Sequence, residues 1–415
     1  MRLPNSVDPH SVQSTGMLGS LRGMPIAPLA ATLAVQTLAT AALFSIPAIA
    51  PAVAAALHVS GELVGTFVAV AYGTGIISAL LSPGLIRRHG GVRATQAVLV
   101  AAAGMVAIAA TGHLASLALA AVVLGLGYGA AAPASTHLLV PQTPRPVFNL
   151  VMSVRQIGVP LGGVLGALIL PPLALAIGWR LALLTELGPL LALLALMELP
   201  RRRWDADHDP GHRAFGRTLL QPFALLRDPQ IRRLSVASFV FSGTQLTFVA
   251  FMTVHLTSIA GFSLVQAGRV LALYQIAGTV SRPVWGWVAD RLLTPSRTLA
   301  LLGFGMAMAT VAAGEIGTAW PGWAIVAMAV VAGCTAGGYT GVAYADYAHL
   351  GGARRTEATG LGTAIMFAAV MLIPPLFGAA VTALGGYAVP YGALAVLTAL
   401  SATLVGWRPG RSGTT

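Results

Sequence analysis

The sequence has no lysine, a single cysteine and very few charged residues. Only 9% of its 415 residues are charged, and all 24 basic residues are arginine, whereas a soluble domain carries about 25% charged residues. The lone Cys334 excludes an internal disulfide, and no grouping of Cys and His has metal-ligand spacing. We therefore expect neither a metal nor a cofactor. The low content of charged residues indicates that most of the chain is not surrounded by water.

Hydrophobic residues make up 56% of the chain, and the mean hydropathy is +0.80. Apolar stretches of the roughly 20 residues that cross ~30 Å of hydrocarbon recur along the whole length. They predict an all-α integral membrane protein. The first apolar run is too long for a signal peptide, so we interpret it as a retained span. Twelve spans are predicted to begin near residues 28, 63, 95, 116, 150, 181, 234, 265, 298, 322, 358 and 387.

The arginines fall almost entirely in alternate loops, which explains the net charge of +12. The other set of loops receives Arg180 alone, with Arg269 just inside the next span. Arginine in short loops marks the cytoplasmic side, so both termini are expected in the cytoplasm. The basic surplus thus indicates orientation in the inner membrane rather than binding of nucleic acid.

One long charged connection divides the chain into two halves of six spans. "PPL" occurs at 171 to 173 and again at 374 to 376, and "LGYG" (126 to 129) has a counterpart in "GGYT" (337 to 340). Internal repeats of this kind are typical of transporters. The predicted organisation is a cytoplasmic tail at 1–24, a six-helix bundle at 25–199, a cytoplasmic linker at 200–233, a pseudo-symmetric six-helix bundle at 234–407 and a tail at 408–415.

The turns after the second and eighth spans carry a recognisable motif. "GWVADRLLTPSR" has Gly286, Asp290 and Arg291, spaced as in the major facilitator superfamily, which the whole chain resembles. The resemblance implies the major facilitator fold and transport by alternating access. The first copy, "PGLIRRHGGVR", departs from the motif because a base stands where the acid belongs. Arg87 stands in the place of the acid, whereas Arg88, Gly90 and Arg93 match the motif.

The resemblance also implies that each motif acid contacts the start of a helix in the opposite half, where a helix N-terminus attracts negative charge. Since Arg155 and Glu357 lie near the starts of spans five and eleven, we hypothesise a gate with reversed charges. Asp290 would pair with Arg155, and Arg87 with Glu357. A second interpretation makes Arg155 a direct ligand for an anion.

Arg282 lies inside an apolar run, about 6 Å deeper than the motif glycine at 1.5 Å per residue. It is costly there unless it faces the bundle interior. One interpretation is a structural arginine near the inner gate. The other is a fixed positive charge for a substrate carboxylate, which suits the planar guanidinium. "RPVWG" resembles the eighth span of monocarboxylate carriers.

Polar residues in other spans are candidates for the lining of a central cavity, or for hydrogen bonds between helices. They offer amide and phenol groups but no carboxylate, which favours an anion or a neutral solute over a cation. With Arg282, the candidate substrate-binding residues are Gln36, Tyr128, Gln156, Gln245, Gln275 and Tyr339.

The sequence therefore predicts a monomeric secondary transporter of a small organic anion in the lipid bilayer, with protons as a candidate coupling ion. Glu186 could carry the proton or pair with Arg180, and His255 is the other candidate. The alternative in the same fold is an exporter of hydrophobic or drug-like compounds. A membrane sensor or enzyme would need a catalytic cluster outside the membrane, and none is present. We expect no enzymatic activity.

Overall fold

The structure is a computed structural model that describes residues 24–58, 63–212 and 221–407. The predicted tail at 1–24, apart from Met24, and the predicted tail at 408–415 lie outside these residues. The described residues contain helices and no strand. The helices are α1 (Ile26–Ala48), α2 (Ala50–Leu57), α3 (Leu63–His89), α4 (Gly91–Ala109), α5 (Leu114–Tyr128), α6 (Ala131–Leu139), α7 (Phe148–Arg155), α8 (Gly158–Ile177), α9 (Trp179–Leu184), α10 (Leu187–Leu196), α11 (Arg201–Trp204), α12 (Pro229–Ser258), α13 (Leu264–Arg291), α14 (Pro295–Gly314), α15 (Gly322–Ala332), α16 (Tyr339–Gly351), α17 (Arg355–Leu384) and α18 (Ala388–Gly406).

Ten helical segments in this part of the chain are long and apolar enough to cross a membrane. One of them, Gly322–Leu384, has 63 residues, about 95 Å of helix at 1.5 Å per residue, which is far more than one crossing needs. The chain turns within it at Gly352, where φ is +52°, and α16 packs on α17. The polytopic all-α class is confirmed, and the exact count of twelve crossings stays a prediction.

The outer faces of the bundle are apolar, as expected where lipid is the solvent. Leu175 and Leu168 expose 90% and 68% of their surface, and Met308 exposes 69%. Inside, the buried apolar residues form two clusters. One lies within residues 35–197, and the other is built mainly from residues 231–405. The bundle boundaries at 199 and 233 stay predictions.

Five of the predicted spans are interrupted: α1 and α2 are separated at Ile49, α9 and α10 at Thr185 and Glu186, and three further spans are interrupted nearer the middle of each half. α5 and α6 are separated at Gly129 and Ala130, and α7 and α8 at Gln156 and Ile157. A π-helical turn at Gly333–Gly337 separates α15 from α16. Irregular backbone is tolerated at membrane depth where protein covers it, and π-helical turns are frequent at functional sites.

Several arginine-bearing loops meet at one end of the bundle, which we call the arginine-rich end. Here Asp209 donates its backbone N–H to the carbonyl of Arg87, and Arg233 donates to the carbonyl of Trp407. A vestibule of about 1490 Å³ lies at this end, with Arg145 in its lining. The first residues of α12 and α17 also reach this end.

Below the vestibule the two halves are in close contact. α7 packs against α13 and α16 of the other half, and α3 packs against α17. A Cβ added at Gly341 would lie 2.3 Å from the Cα of Ser153, and one added at Gly286 would lie 2.7 Å from the Cα of Leu150. Only glycine permits so close an approach. The halves are therefore closed against each other at the arginine-rich end.

Candidate functional site

A cavity of about 100 Å³ lies between the two halves. On α7, Asn149 lines the vestibule and Ser153 contacts Gly341 one turn further on, and Gln156, directly after the helix, lines the cavity. The contacts of α7 with α13 and α16, which we call the closed contact layer, therefore separate the cavity from the vestibule. The predicted residues that line the cavity are Gln36, Tyr128, Gln156 and Gln245.

A hydrogen-bonded polar cluster covers one wall of this cavity. Gln36 donates to Thr40 at 3.1 Å and to the hydroxyl of Tyr128 at 3.3 Å, and Thr40 and Tyr128 lie 3.1 Å apart. These side chains come from α1 and α5, which are joined here as interhelical hydrogen bonds commonly join membrane helices. The amide oxygen of Gln36 is left to accept from a further donor.

That further donor is Arg155, which is fully buried at the end of α7. Its Nη1 donates to Gln36 at 3.3 Å and its Nη2 to the side chain of Gln156 at 2.5 Å, while its guanidinium lies 5.4 Å from the ring centre of Tyr344. Its Nε has no hydrogen-bond partner. No ion pair between described residues includes this arginine, its hydrogen-bond partners are neutral amides, and the nearby charge that acts on it is a second cation, Arg282.

Aromatic rings from both halves continue the cavity lining from Tyr128. Phe367 of α17 stacks on Tyr128 with ring centres 5.8 Å apart and meets Tyr72 of α3 edge-on at 4.8 Å. Sequence reasoning missed Tyr72 and Phe367, and also Ser242 and Thr363 in the lining. The one available signal was the "YGTG" of span two, which sets Tyr72 among glycines as in "LGYG".

Arg155 and Arg282 are both buried just outside the cavity lining, and they differ in their hydrogen-bond partners. Arg282 is 3% exposed, and its Nε donates to the carbonyl of Gly337 at 2.8 Å. Its Nη1 donates to the backbone carbonyl of Gln156 in the other half. Both of its partners are main-chain oxygens, so the contacts are those of a structural arginine.

Two further candidates also lie outside the cavity lining. Tyr339 is buried behind it, and its hydroxyl donates to Ser242 at 2.8 Å. Gln275 lies on α13, and only its carbonyl has a described bond, accepted from Thr279. Neither is brought into contact with the central cavity.

The motif acid Asp290 contacts the start of α7, the region to which the resemblance points. It accepts from the backbone N–H groups of Asn149 and Leu150, each at 2.9 Å, and from the Asn149 side chain at 2.8 Å. The hypothesised pair with Arg155 is wrong, because Arg155 lies seven residues further along the helix, about 10 Å at 1.5 Å per residue. The neighbouring Arg291 interacts electrostatically with Asp290.

The second hypothesised pair is also wrong. Glu357 accepts from Arg354, three residues earlier, at 2.5 Å and 2.9 Å, and the ion pairs of the described residues include none between Glu357 and Arg87. Arg87 and Arg88 are exposed at the arginine-rich end. The short local pair forms because residues three apart on a helix are neighbours.

The first motif copy is held within its own half by the linker. Arg93 bonds Glu198 at 3.0 Å, and the carboxylate of Asp205 accepts from the backbone N–H groups of Val92 and Arg93 at 2.8 and 3.3 Å. Burial raises the pKa of Asp205, while these two hydrogen bonds act to lower it. Gly90, with φ of +95°, makes room for this carboxylate.

The two candidate proton carriers lie away from the cavity lining. His255 is buried against the rings of Tyr387 and Tyr391, with ring centres 4.1 and 5.5 Å away. Glu186 lies between α9 and α10, and its buried Oε2 has no hydrogen-bond partner. The pair of Glu186 with Arg180, the other interpretation of Glu186, is wrong, because Arg180 stacks on Trp179 and no described ion pair joins it to Glu186.

A polytopic helical bundle with a small polar and aromatic cavity between two halves is typical of a membrane transporter. Residues 31–351 match the Major Facilitator Superfamily, and the chain belongs to that family. It is therefore a multi-pass transporter of small molecules and not an enzyme. Within the described residues no cluster of three His, Cys, Asp or Glu side chains is arranged to hold a metal ion.

Two relatives resemble this chain in sequence. The chain is 29% identical over 211 residues to the 4-hydroxybenzoate transporter of Pseudomonas aeruginosa, covering 43% of this chain and 46% of that one. It thus spans about half the length of this curated relative. It is 26% identical over 318 residues to an uncharacterised transporter of Mycobacterium tuberculosis, covering 74% and 68% of the two chains.

Solved structures share the fold over nearly the whole chain. The xylose–proton symporter XylE superposes with a TM-score of 0.70 at 15% identity over 91% of this chain and 94% of its own. The Escherichia coli fucose–proton symporter FucP gives 0.69 at 13% identity over 92% and 98%. The human organic anion transporter TETRAN gives 0.67 at 17% identity over 92% and 99%.

Proposed function

We propose that this protein is a secondary active transporter that moves a small organic anion, a carboxylate, by alternating access. The observation that carries the proposal is Arg155, a fully buried guanidinium whose partners Gln36 and Gln156 line the cavity. A buried charge is costly unless it is paired. An incoming carboxylate supplies the missing counter-charge, and the planar fork of Arg155 suits its two oxygens.

The size of the cavity favours a small solute. Its volume of about 100 Å³ is well below the roughly 300 to 1,000 Å³ of sites for drug-sized ligands. The names of the 4-hydroxybenzoate and organic anion transporters support the same substrate class. The alternative, export of hydrophobic or drug-like compounds, requires a larger cavity in another conformation.

The remaining features of the proposal concern coupling and orientation. FucP and XylE are proton symporters, and we propose proton coupling here as well. Because Glu186 and His255 lie outside the cavity lining, the proton would travel on the substrate carboxylate or on a carrier remote from it. The arginine-rich end would face the cytoplasm of an inner membrane, with the protein as a monomer.

Uptake of 4-hydroxybenzoate into proteoliposomes, with and without an imposed pH gradient, tests the proposal. Arg155→Gln removes the counter-charge for the carboxylate, so affinity should fall by about 2 kcal/mol or more, roughly 30-fold. Arg155→Lys keeps the charge but lacks the planar fork, so its affinity should lie between those of the parent protein and Arg155→Gln. Arg180→Gln changes an exposed arginine at the opposite end and is the matched control.

Unchanged binding in Arg155→Gln contradicts the assignment of the site. If a panel of benzoate, aliphatic carboxylates and hydrophobic cationic dyes shows dye transport alone, the exporter is the correct function. If a pH gradient leaves the rate of uptake unchanged, proton coupling is wrong while the anion site stands.

A further inference from the structure

We propose that Arg282 is a latch between the two halves and that Gln156 couples this latch to the anion site. Arg282 lies on α13 in the second half, and its two described bonds go to main-chain oxygens on opposite sides of the interface. Nε donates to Gly337 in its own half at 2.8 Å, and Nη1 donates to Gln156 in the first half.

These two carbonyls are available because the helices are interrupted at the same depth in both halves. Gln156 follows the last residue of α7, where helix-end carbonyls lack their usual partners, and Gly337 ends the π-helical turn. The Gln156 carbonyl accepts from Val159 at 3.2 Å and keeps a second lone pair for Arg282. Arg282 thus joins one interruption to the other.

The position of Arg282 along α13 places it beside the closed contact layer. Asp290, Gly286 and Arg282 follow each other at four-residue intervals on one face of the helix. Asp290 lines the vestibule, Gly286 touches Asn149 and Leu150, and Arg282 touches Gln156 next to the cavity. The latch is therefore the contact between halves that lies nearest to the substrate site on this helix.

Gln156 belongs to both sites at once. Its backbone oxygen accepts from the latch, while its side-chain oxygen accepts from Arg155 at 2.5 Å and lines the cavity. A carboxylate that binds Arg155 competes with this side-chain oxygen and releases Gln156. A ligand shifts a conformational equilibrium only through contacts that differ between the two states, and this exchange of partners is such a contact.

The coupling rests on the proposed function, since it takes Arg155 as the anion ligand, whereas the latch does not. The test uses a Cys334→Ala background with Ala132→Cys in the cavity lining. An impermeant maleimide, applied from the arginine-rich side of oriented vesicles, measures opening. Binding of radiolabelled 4-hydroxybenzoate to the full chain measures the site.

Arg282→Gln should label about tenfold faster, because it loses hydrogen bonds from a charged donor, while the binding constant stays within about threefold of the parent value. Arg282→Lys, which cannot span both carbonyls, should label at an intermediate rate and is the variant to use if the glutamine form does not fold. Gln156→Ala should label at a rate that no longer changes when 4-hydroxybenzoate is added.

The outcomes separate the two proposals. If Arg282→Gln and Arg282→Lys lose binding at an unchanged labelling rate, Arg282 is a substrate ligand and the latch is wrong. If Arg155→Gln keeps binding but Arg282→Gln labels faster, the anion site is wrong and the latch stands. If Gln156→Ala still responds to 4-hydroxybenzoate, the coupling is wrong. Arg180→Gln should match the parent in both measurements.

Discussion

Asp290 is a single carboxylate that joins the two halves at the start of α7. It accepts from two backbone N–H groups and one side chain, at Asn149 and Leu150. These N–H groups lack intrahelical partners because they begin a helix, and the helix dipole adds to the attraction. The strength of this contact therefore depends on its charge as well as on its geometry.

We predict that Asp290→Asn weakens this contact by about 1 to 2 kcal/mol, the difference between charged and neutral hydrogen bonds at a helix start. Amide hydrogen exchange at Asn149 and Leu150 should then be roughly 5 to 30 times faster. Asp228→Asn is the control, because Asp228 accepts from the backbone N–H of Gln230 at the start of α12, within its own half. Equal exchange in both variants would show that Asp290 does not hold the contact.

Individual roles were harder to predict from the sequence than individual positions. Arg155, Gln36 and Gln156 were all recognised as candidates, because polar side chains are rare in an apolar chain. Their partners were not, since Arg155 was assigned to the start of its helix and lies at the end. The role of Arg282 depends on two main-chain oxygens, which no side-chain pattern reveals.

At the scale of elements, the turn between α3 and α4 is fastened by the linker. Asp205 reaches back from beyond α11 and accepts from the first N–H groups of α4. Gly90 has φ of +95°, and a Cβ there would lie 2.2 Å from Cγ of Asp205. The turn therefore needs glycine both for its backbone and for its contact with the linker.

We predict that Gly90→Ala destabilises the protein more than Gly178→Ala does. Gly178 also has a left-handed φ, +82°, but a Cβ there meets nothing within 4 Å. Gly178→Ala therefore measures backbone strain alone, about 1 to 3 kcal/mol, whereas Gly90→Ala also displaces Asp205. Thermal unfolding in detergent measures both, and equal losses of stability would mean that the linker contact adds nothing.

The membrane-spanning segments followed from the sequence, but their interruptions did not. A run of apolar residues shows that a segment can cross hydrocarbon, and it carries no periodicity when the helix is apolar on all sides. Two of these interruptions lie where glycine approaches a neighbouring helix, since a Cβ at Gly129 would lie 2.0 Å from the carbonyl oxygen of Gly75 and one at Gly333 2.2 Å from that of Tyr274. These interruptions supply the carbonyls and small residues around the cavity.

At the scale of the whole molecule, the sequence predicted the family and its two halves, and the structure adds the conformational state. α7, α13 and α16 meet below the vestibule and close the arginine-rich end. The proposed alternating access requires a second state in which these helices separate. The glycines at the contact set how close the halves approach in this state.

Replacing Gly286 by leucine should hold the halves apart. A side chain there starts 2.7 Å from Leu150 Cα, so α13 cannot reach its closed position on α7. Overpacking a close contact costs about 1 to 3 kcal/mol, occasionally more, which shifts a two-state equilibrium by roughly 5-fold to 150-fold toward the open state. Uptake should then be lost while 4-hydroxybenzoate binding persists.

Gly268→Leu, on the same helix with open space around its Cβ, is the control and should transport normally. Spin labels at His89→Cys and Leu292→Cys, in a Cys334→Ala background, report the separation of the halves at the arginine-rich end. Gly286→Leu should lengthen this distance and Gly268→Leu should not. If Gly286→Leu loses uptake but the distance between the spin labels is unchanged, the loss of uptake does not result from opening of the arginine-rich end.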